Sequence, residues 1–227
     1  VVPGQPLVWY MGCDSRGEYI YKYVSKAAWD PEDAKRPTLA GDKYLNDGKL
    51  YVARFNADGS GDWIELKLGV NGIDASYAPY AFSDQADVLV HARLAADAAG
   101  ATKMDRPEWG AVNPRNGEVY MTLTYNPSRD FDKTDAANPR FYNDPKEGKP
   151  QKGNANGHII RWAESGDKAS ATHFQWDVFL FAARESADPD NVNLSALTAG
   201  NDFSSPDGLW FSRSGLLWIE TDTPNVD

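Results

Sequence analysis

Hydrophobic and polar positions alternate with period two over short runs, and Gly, Pro, Asn or Asp punctuate almost every run. The pattern predicts strands over Leu7–Gly12, Tyr19–Val24, Leu50–Phe55, Trp63–Lys67, Glu118–Thr124, His158–Ala163, Thr172–Leu180 and Leu216–Thr221. One stretch has a helical pattern instead. In "SDQADVLVHARLAADAAG" Ser83 is placed to cap the N-terminus, Asp84 suits the first turn and Gly100 can close the C-terminus. Segments 125–156 and 184–204 are rich in Asn, Asp and Pro and read as long surface loops, which are uncommon unless they serve a function.

Two internal repeats organise these runs. The first pairs "RPEWGAVNPRNGEVYMTLT" with "SPDGLWFSRSGLLWIETD". Each has Pro then an acid (Glu108, Asp207), a turn ending in Gly (Gly117, Gly215), and an aromatic three residues on (Tyr120, Trp218). The second pairs "GKLYVARFNADGSGDWIELKL" with "GHIIRWAESGDKASATHFQWDVFLF", each a strand ending in Arg-aromatic, a polar turn, and a strand led by Trp63 or Trp176. Alternating an inner and an outer hairpin builds the four-stranded blade of a β-propeller. Blades of about 40 to 50 residues give roughly three in this chain, whereas a ring closes with about 4 to 8. The expected architecture is therefore all-β: a partial β-propeller, residues 1–227 forming one domain that is a fragment of a larger ring, with one short helix and long loops.

Composition agrees with a globular β domain. Hydrophobic residues make up 41% of 227, enough for a core, and eight Trp and eleven Tyr favour strands. The formal charge of −10 comes from acids spread along the chain, which argues against nucleic acid or an anionic membrane as a partner and for a cation. A single cysteine, Cys13, excludes an internal disulfide. No run of about 18 apolar residues predicts a membrane span. The start at Val1 and the stop at "TPNVD" just after an apparent strand suggest a fragment or processed product.

In a propeller the innermost strands line the central channel, so acids at their starts converge on one axis. Glu108 and Asp207 hold that position. Two carboxylates about 5 Å apart repel by roughly 3 kcal/mol at an effective dielectric near 20, and a hard, oxygen-liganded cation such as Ca²⁺ removes the repulsion. The competing reading, that each acid caps a turn after proline, stands beside it. Arg106, next to the rigid Pro107, suits bidentate phosphate recognition or an ion pair with Asp105 or Glu108. "GCDSRGEYIYKYVS" gathers Asp14, Arg16, Glu18 and Lys22, and reads as a solvated charged turn over the face carrying Tyr19, Tyr21 and Tyr23. His91, His158 and His173 share no metal spacing and read as structural, and Cys13 lacks partner ligands.

The motifs "RGEYIYKYVS", "ATKMDRPEW", "NGHIIRW" and "SPDGLWF…GLLWIETD" occur in one order, and from about Val8 to Asp222 the sequence resembles the PhoX-type alkaline phosphatases, in their C-terminal part. The resemblance implies a propeller hydrolase of small phosphate monoesters that uses Ca²⁺ and Fe³⁺ and is exported to the periplasm or secreted. It makes Glu18, Glu108 and Asp207 metal ligands and Arg106 a phosphate contact that stabilises the in-line transition state. Two departures stand out. The family's iron thiolate belongs to an upstream motif outside this chain, with Cys13 at a place where an acid is expected, and Tyr125 replaces a first Asn.

A calcium-dependent lactonase or esterase propeller would also gather acids at the axis, and a non-catalytic propeller module would use the same acids as caps and the loops for a protein partner. Lactone opening without phosphate release marks the former, and absence of stoichiometric metal the latter. Exposed blade edges would invite self-association.

Overall fold

The structure, a computed structural model, describes residues 1–146 and 149–222, so the closing "TPNVD" lies outside the described residues. In chain order the strands are β1 (Pro6–Gly12), β2 (Arg16–Glu18), β3 (Ile20–Ala28), β4 (Gly48–Phe55), β5 (Ser60–Glu65), β6 (Met104–Asp105) and β7 (Pro107–Val112). They continue as β8 (Val119–Leu123), β9 (Tyr142–Lys146), β10 (Lys149–Gly153), β11 (His158–Glu164), β12 (His173–Phe181), β13 (Pro206–Phe211) and β14 (Leu217–Thr221). Three α-helices, α1 (Pro37–Leu45), α2 (Gln85–Val90) and α3 (Ala92–Ala98), complete the set with short 3₁₀ turns.

The fold is mostly β, with an antiparallel eight-stranded sheet in the order β1-β3-β4-β5-β12-β11-β8-β7. It bends until its two edges, β1 and β7, approach each other. An ideal Cβ on Gly12 would stand 2.6 Å from the Pro107 carbonyl oxygen, so the missing side chain is what admits this approach. The sheet has two four-stranded halves. Among the described residues the ladder joining them is β5 with β12, through the three pairs His173–Asp62, Phe174–Gly61 and Gln175–Ser60. Thus the expected four-strand groupings occur, but as halves of one continuous sheet.

The halves face each other over one core. Tyr51, Phe55 and Trp63 from one half meet Met121, Trp162 and Phe174 from the other, all buried. Trp63 and Trp162 pack edge-on with centroids 5.9 Å apart, a geometry that adds about 0.5–1.5 kcal/mol beyond area burial. Strand β8 is buried along its whole length because the β13–β14 hairpin covers its outer face through Leu209 against Tyr120 and Ile159. That is why "VYMTL" lacks alternation.

All eight expected strands are present, and both repeats are hairpins: β7–β8 with β13–β14, and β4–β5 with β11–β12. Gly117 and Gly215 both have positive φ (75° and 82°), as their turns require.

Five expectations are corrected. The single helix is two, broken at His91 (φ −105°, ψ 40°), whose ring packs on Tyr80. Its cap is Asp84, which accepts from the Asp87 N–H, and not Ser83. Helix α1 was not expected, because "PTLAGDKYL" is a poor helix former; tertiary bonds hold it, with Tyr23 Oη donating to the Tyr44 and Leu45 carbonyls. The segment 125–156 is not a surface loop, since Asn126, Arg129, Asn138, Arg140, Asn154 and Asn156 are buried and β9 pairs with β10. Finally, Lys22 is not solvated: it is fully buried between the halves and paired with Glu164.

Candidate active site

Three strands that open or edge the sheet system deliver charge to one place. Asp14 follows β1, Glu108 lies on β7 and Asp207 on β13, with Arg106 at the junction of β6 and β7. Thr122 of β8 ties two of these strands together. Its hydroxyl accepts from the Trp109 N–H at 2.9 Å and donates to the Asp207 carbonyl at 2.7 Å.

Arg106 has φ +52°, a left-handed conformation that costs a residue other than Gly on the order of 1–3 kcal/mol. The kink separates β6, which pairs with β2, from β7, which pairs with β8. Its guanidinium makes a forked pair with Asp14, Nε to Oδ1 at 2.9 Å and Nη2 to Oδ2 at 3.0 Å, and lies over the Tyr125 ring at 5.1 Å. Glu108 is only loosely engaged, with Oε2 3.8 Å from Nη2 of Arg106.

The charges do not balance. Burial first, then a hydrogen bond shared with Asp14 and the negative charges of Asp14 and Asp207, push the Glu108 carboxyl up to about 7 against the opposing pull of Arg106. Asp207 is pushed up as well, by burial and then by Asp222 and Asp14, with Arg106 opposing. Such a group of carboxylates sharing one arginine is stabilised by an added cation or by protons.

The structure therefore brings together Arg106, Glu108 and Asp207, as the sequence suggests, and adds Asp14. The signal for Asp14 was its position after β1, matching the other two acids on their strands, but the charged turn around it looked ordinary. Glu18 stands apart. It is buried on β2 and its Oε1 is bound by Nε of Arg93, with Arg93 also bridging to Asp97. Cys13 lies between the two places; burial and the charges of Glu18 and Asp14 push its thiol up, so it is not a thiolate nucleophile at neutral pH. Among the described residues no group of three or more His, Cys, Asp and Glu is arranged to hold a metal ion. The acids act on one another electrostatically without forming a preassembled cage. His158 is buried, pushed down to about 3 by burial and by Arg140, and is structural, as expected.

An open cavity of about 850 Å³, lined among others by Arg16, Tyr19, Lys103 and Arg129, contains none of Arg106, Glu108 or Asp207. Charge imbalance, not concavity, marks the candidate site.

A family model described as alkaline phosphatase PhoX matches residues 1–226. A solved structure described as Pseudomonas fluorescens PhoX in complex with vanadate, a transition state analogue, is 42% identical to the chain with a TM-score of 0.77. The likeness covers 96% of this chain and 37% of that one, so the chain spans well under half the length of that relative. The search of curated proteins returned no match.

Proposed function

The chain belongs to the alkaline phosphatase PhoX family, and from that premise we propose that it forms part of a metal-dependent phosphatase of small phosphate monoesters, with Arg106, Glu108, Asp207 and Asp14 at the reaction centre. The observation that carries this reading is the gathering of Asp14, Glu108 and Asp207 around Arg106, where burial first and then the neighbouring acids push the Glu108 carboxyl up to about 7. The relative's vanadate complex supports it by analogy, since vanadate copies a phosphoryl group in transfer. The lactonase and binding-module readings have no comparable support.

The donor chemistry fits a hard cation. Glu108, Asp207 and Asp14 offer carboxylate oxygens, the ligands Ca²⁺ takes, and their mutual repulsion is what such an ion relieves. Bound there, it would neutralise phosphoryl charge and polarise the scissile P–O bond. Fe³⁺, also implied by the family, has only Glu18 beside Cys13 here, and Glu18 is committed to Arg93. No step is routed through iron.

The chain's own residues act as follows. Arg106 now spends its fork on Asp14, so a phosphoryl group competes with Asp14 for the guanidinium. A fork freed from Asp14 would bind two phosphoryl oxygens and orient the ester for in-line attack. Glu108, pushed up to about 7, holds a proton at its carboxyl below that pH.

The finer architecture we infer is a propeller. It is supported by the two four-stranded halves packed face to face, the β13–β14 hairpin as the start of a third unit, and the acids on the leading strands β7 and β13 and just after β1. A periplasmic or secreted location follows the family; among the described residues no helix is long and apolar enough to cross a membrane. Self-association through blade edges is a further expectation of that architecture.

Hydrolysis of p-nitrophenyl phosphate by the full-length parent with added Ca²⁺ tests the reading, because this chain by itself holds only part of the ring and of the site. Activity of the parent should vanish in Arg106→Ala; turnover that survives in the variant overturns the reading.

A further inference from the structure

Asp105 and Arg106 are neighbours in the chain with opposite surroundings, and Asn126 and Tyr125 face them with the same divergence. On the inner side the Asp105 carboxylate is buried and both its oxygens are hydrogen-bonded. Its Oδ1 accepts from Nδ2 of Asn126 and from Nε of Arg129, both at 2.7 Å, and its Oδ2 accepts from Nδ2 of Asn154 at 3.0 Å. The Asp105 N–H donates to Oδ1 of Asn138. Asn126 and Asn154 also exchange both backbone hydrogen bonds, at 2.8 and 3.1 Å. On the outer side, one residue on from Asp105 and one residue back from Asn126, the Arg106 guanidinium lies over the Tyr125 ring at 5.1 Å. Thr124 donates its N–H to the Arg106 carbonyl at 3.2 Å, which closes the pairing of the two segments.

A carboxylate this buried, with both oxygens held by amide and guanidinium donors from three residues, fixes its backbone more firmly than a surface turn could. The residue it fixes precedes one in a strained left-handed conformation, where the surroundings must hold the backbone if the side chain is to point one way. We propose that Asp105 and Asn126 are positioning residues that clamp the two segments together and thereby hold the Arg106 guanidinium on the Tyr125 ring, with its fork toward Asp14. Neither touches the reacting groups; they act through Arg106 and Tyr125. The consequence for anion binding rests on the proposed phosphatase reading, whereas the clamp itself is a statement about where Arg106 points.

Nuclear magnetic resonance of the chain, with Asp105→Asn and Asn126→Ala variants, tests this. In the wild type the Arg106 Hε signal should be displaced upfield by the Tyr125 ring current. Each variant should return that signal to the position of an exposed arginine while the core signals keep their dispersion. Inorganic phosphate affinity should fall by roughly 10- to 100-fold, the range seen when supporting residues of a site are removed. Tyr125→Phe should keep the displaced signal. If Asp105→Asn does not fold because Arg129 loses its buried partner, Asn126→Ala decides, since it leaves that ion pair intact. An undisplaced wild-type signal, or one unchanged in the variants, overturns the proposal. A wild-type chain that binds no phosphate, yet shows the displaced signal and loses it in the variants, supports the clamp and refutes the phosphate contact.

Discussion

Two glutamates show how this fold treats charge. Glu164 lies in the core between the two sheet halves, with its side chain 4% exposed. It accepts from Tyr10 Oη at 2.7 Å and from Trp63 Nε1 at 3.0 Å, and it pairs with Lys22 Nζ at 3.0 Å, which also donates to the Ala171 carbonyl. Burial pushes Glu164 up and Lys22 down, and their attraction works against both shifts. Glu108 is less buried, has no comparable donors, and faces two other carboxylates with one arginine at 3.8 Å. The deeper acid is the better satisfied. Charge that is buried and fully partnered serves the fold, whereas charge left unbalanced near the surface is arranged for something that arrives later.

That contrast can be broken most sharply from the core side. Lys22→Met leaves Glu164 buried without its cation and should cost about 3–5 kcal/mol in urea denaturation, with phosphate binding by the folded fraction unchanged. Adding Glu164→Leu should restore most of the loss, because the pair is then removed as a unit. At the other region Glu108→Gln should leave stability of the chain unchanged or slightly raised, while, on the proposed reading, hydrolysis of p-nitrophenyl phosphate by the full-length parent falls by roughly 100-fold or more.

The pH response separates the two further. Glu108 has a folded pKa raised from 4.5 to about 7, so the folded state binds the extra proton between those values. Its contribution to stability is full below the unfolded pKa and is lost as pH rises through about 7. Thermal melts across that window should show the decline, Ca²⁺ should flatten it, and Glu108→Gln should remove it. The smallest effect belongs to the ring beneath Arg106. Tyr125→Ala should weaken phosphate binding by about 0.5–1 kcal/mol, and Tyr125→Phe should be nearly silent in calorimetry.

The strands were legible because alternation and turn residues are local signals. Leu50–Phe55 and His158–Ala163 are found with shifts of a residue or two at their ends. The repeats correctly paired the acids Glu108 and Asp207 because a hairpin repeated in sequence repeats its geometry. What stayed hidden depends on distant partners. Lys22 sits in a charged-looking run, and only Glu164, far along the chain, makes its burial tolerable. The buried bonds of Asp105 to Asn126, Arg129 and Asn154 carry no periodicity, so a packed polar network looked like a loop. Asp14 reads from sequence only as part of a solvated charged turn, since an acid in a turn has the same local chemistry whether or not Arg106 lies opposite.

Calorimetric titration of Ca²⁺ into the chain near neutral pH, repeated in two buffers of different ionisation enthalpy, tests the central claim that the Asp14–Arg106–Glu108–Asp207 cluster is built for a cation. The account predicts binding with net proton release that disappears in Glu108→Gln. Binding of equal affinity and equal proton release in the variant would contradict it.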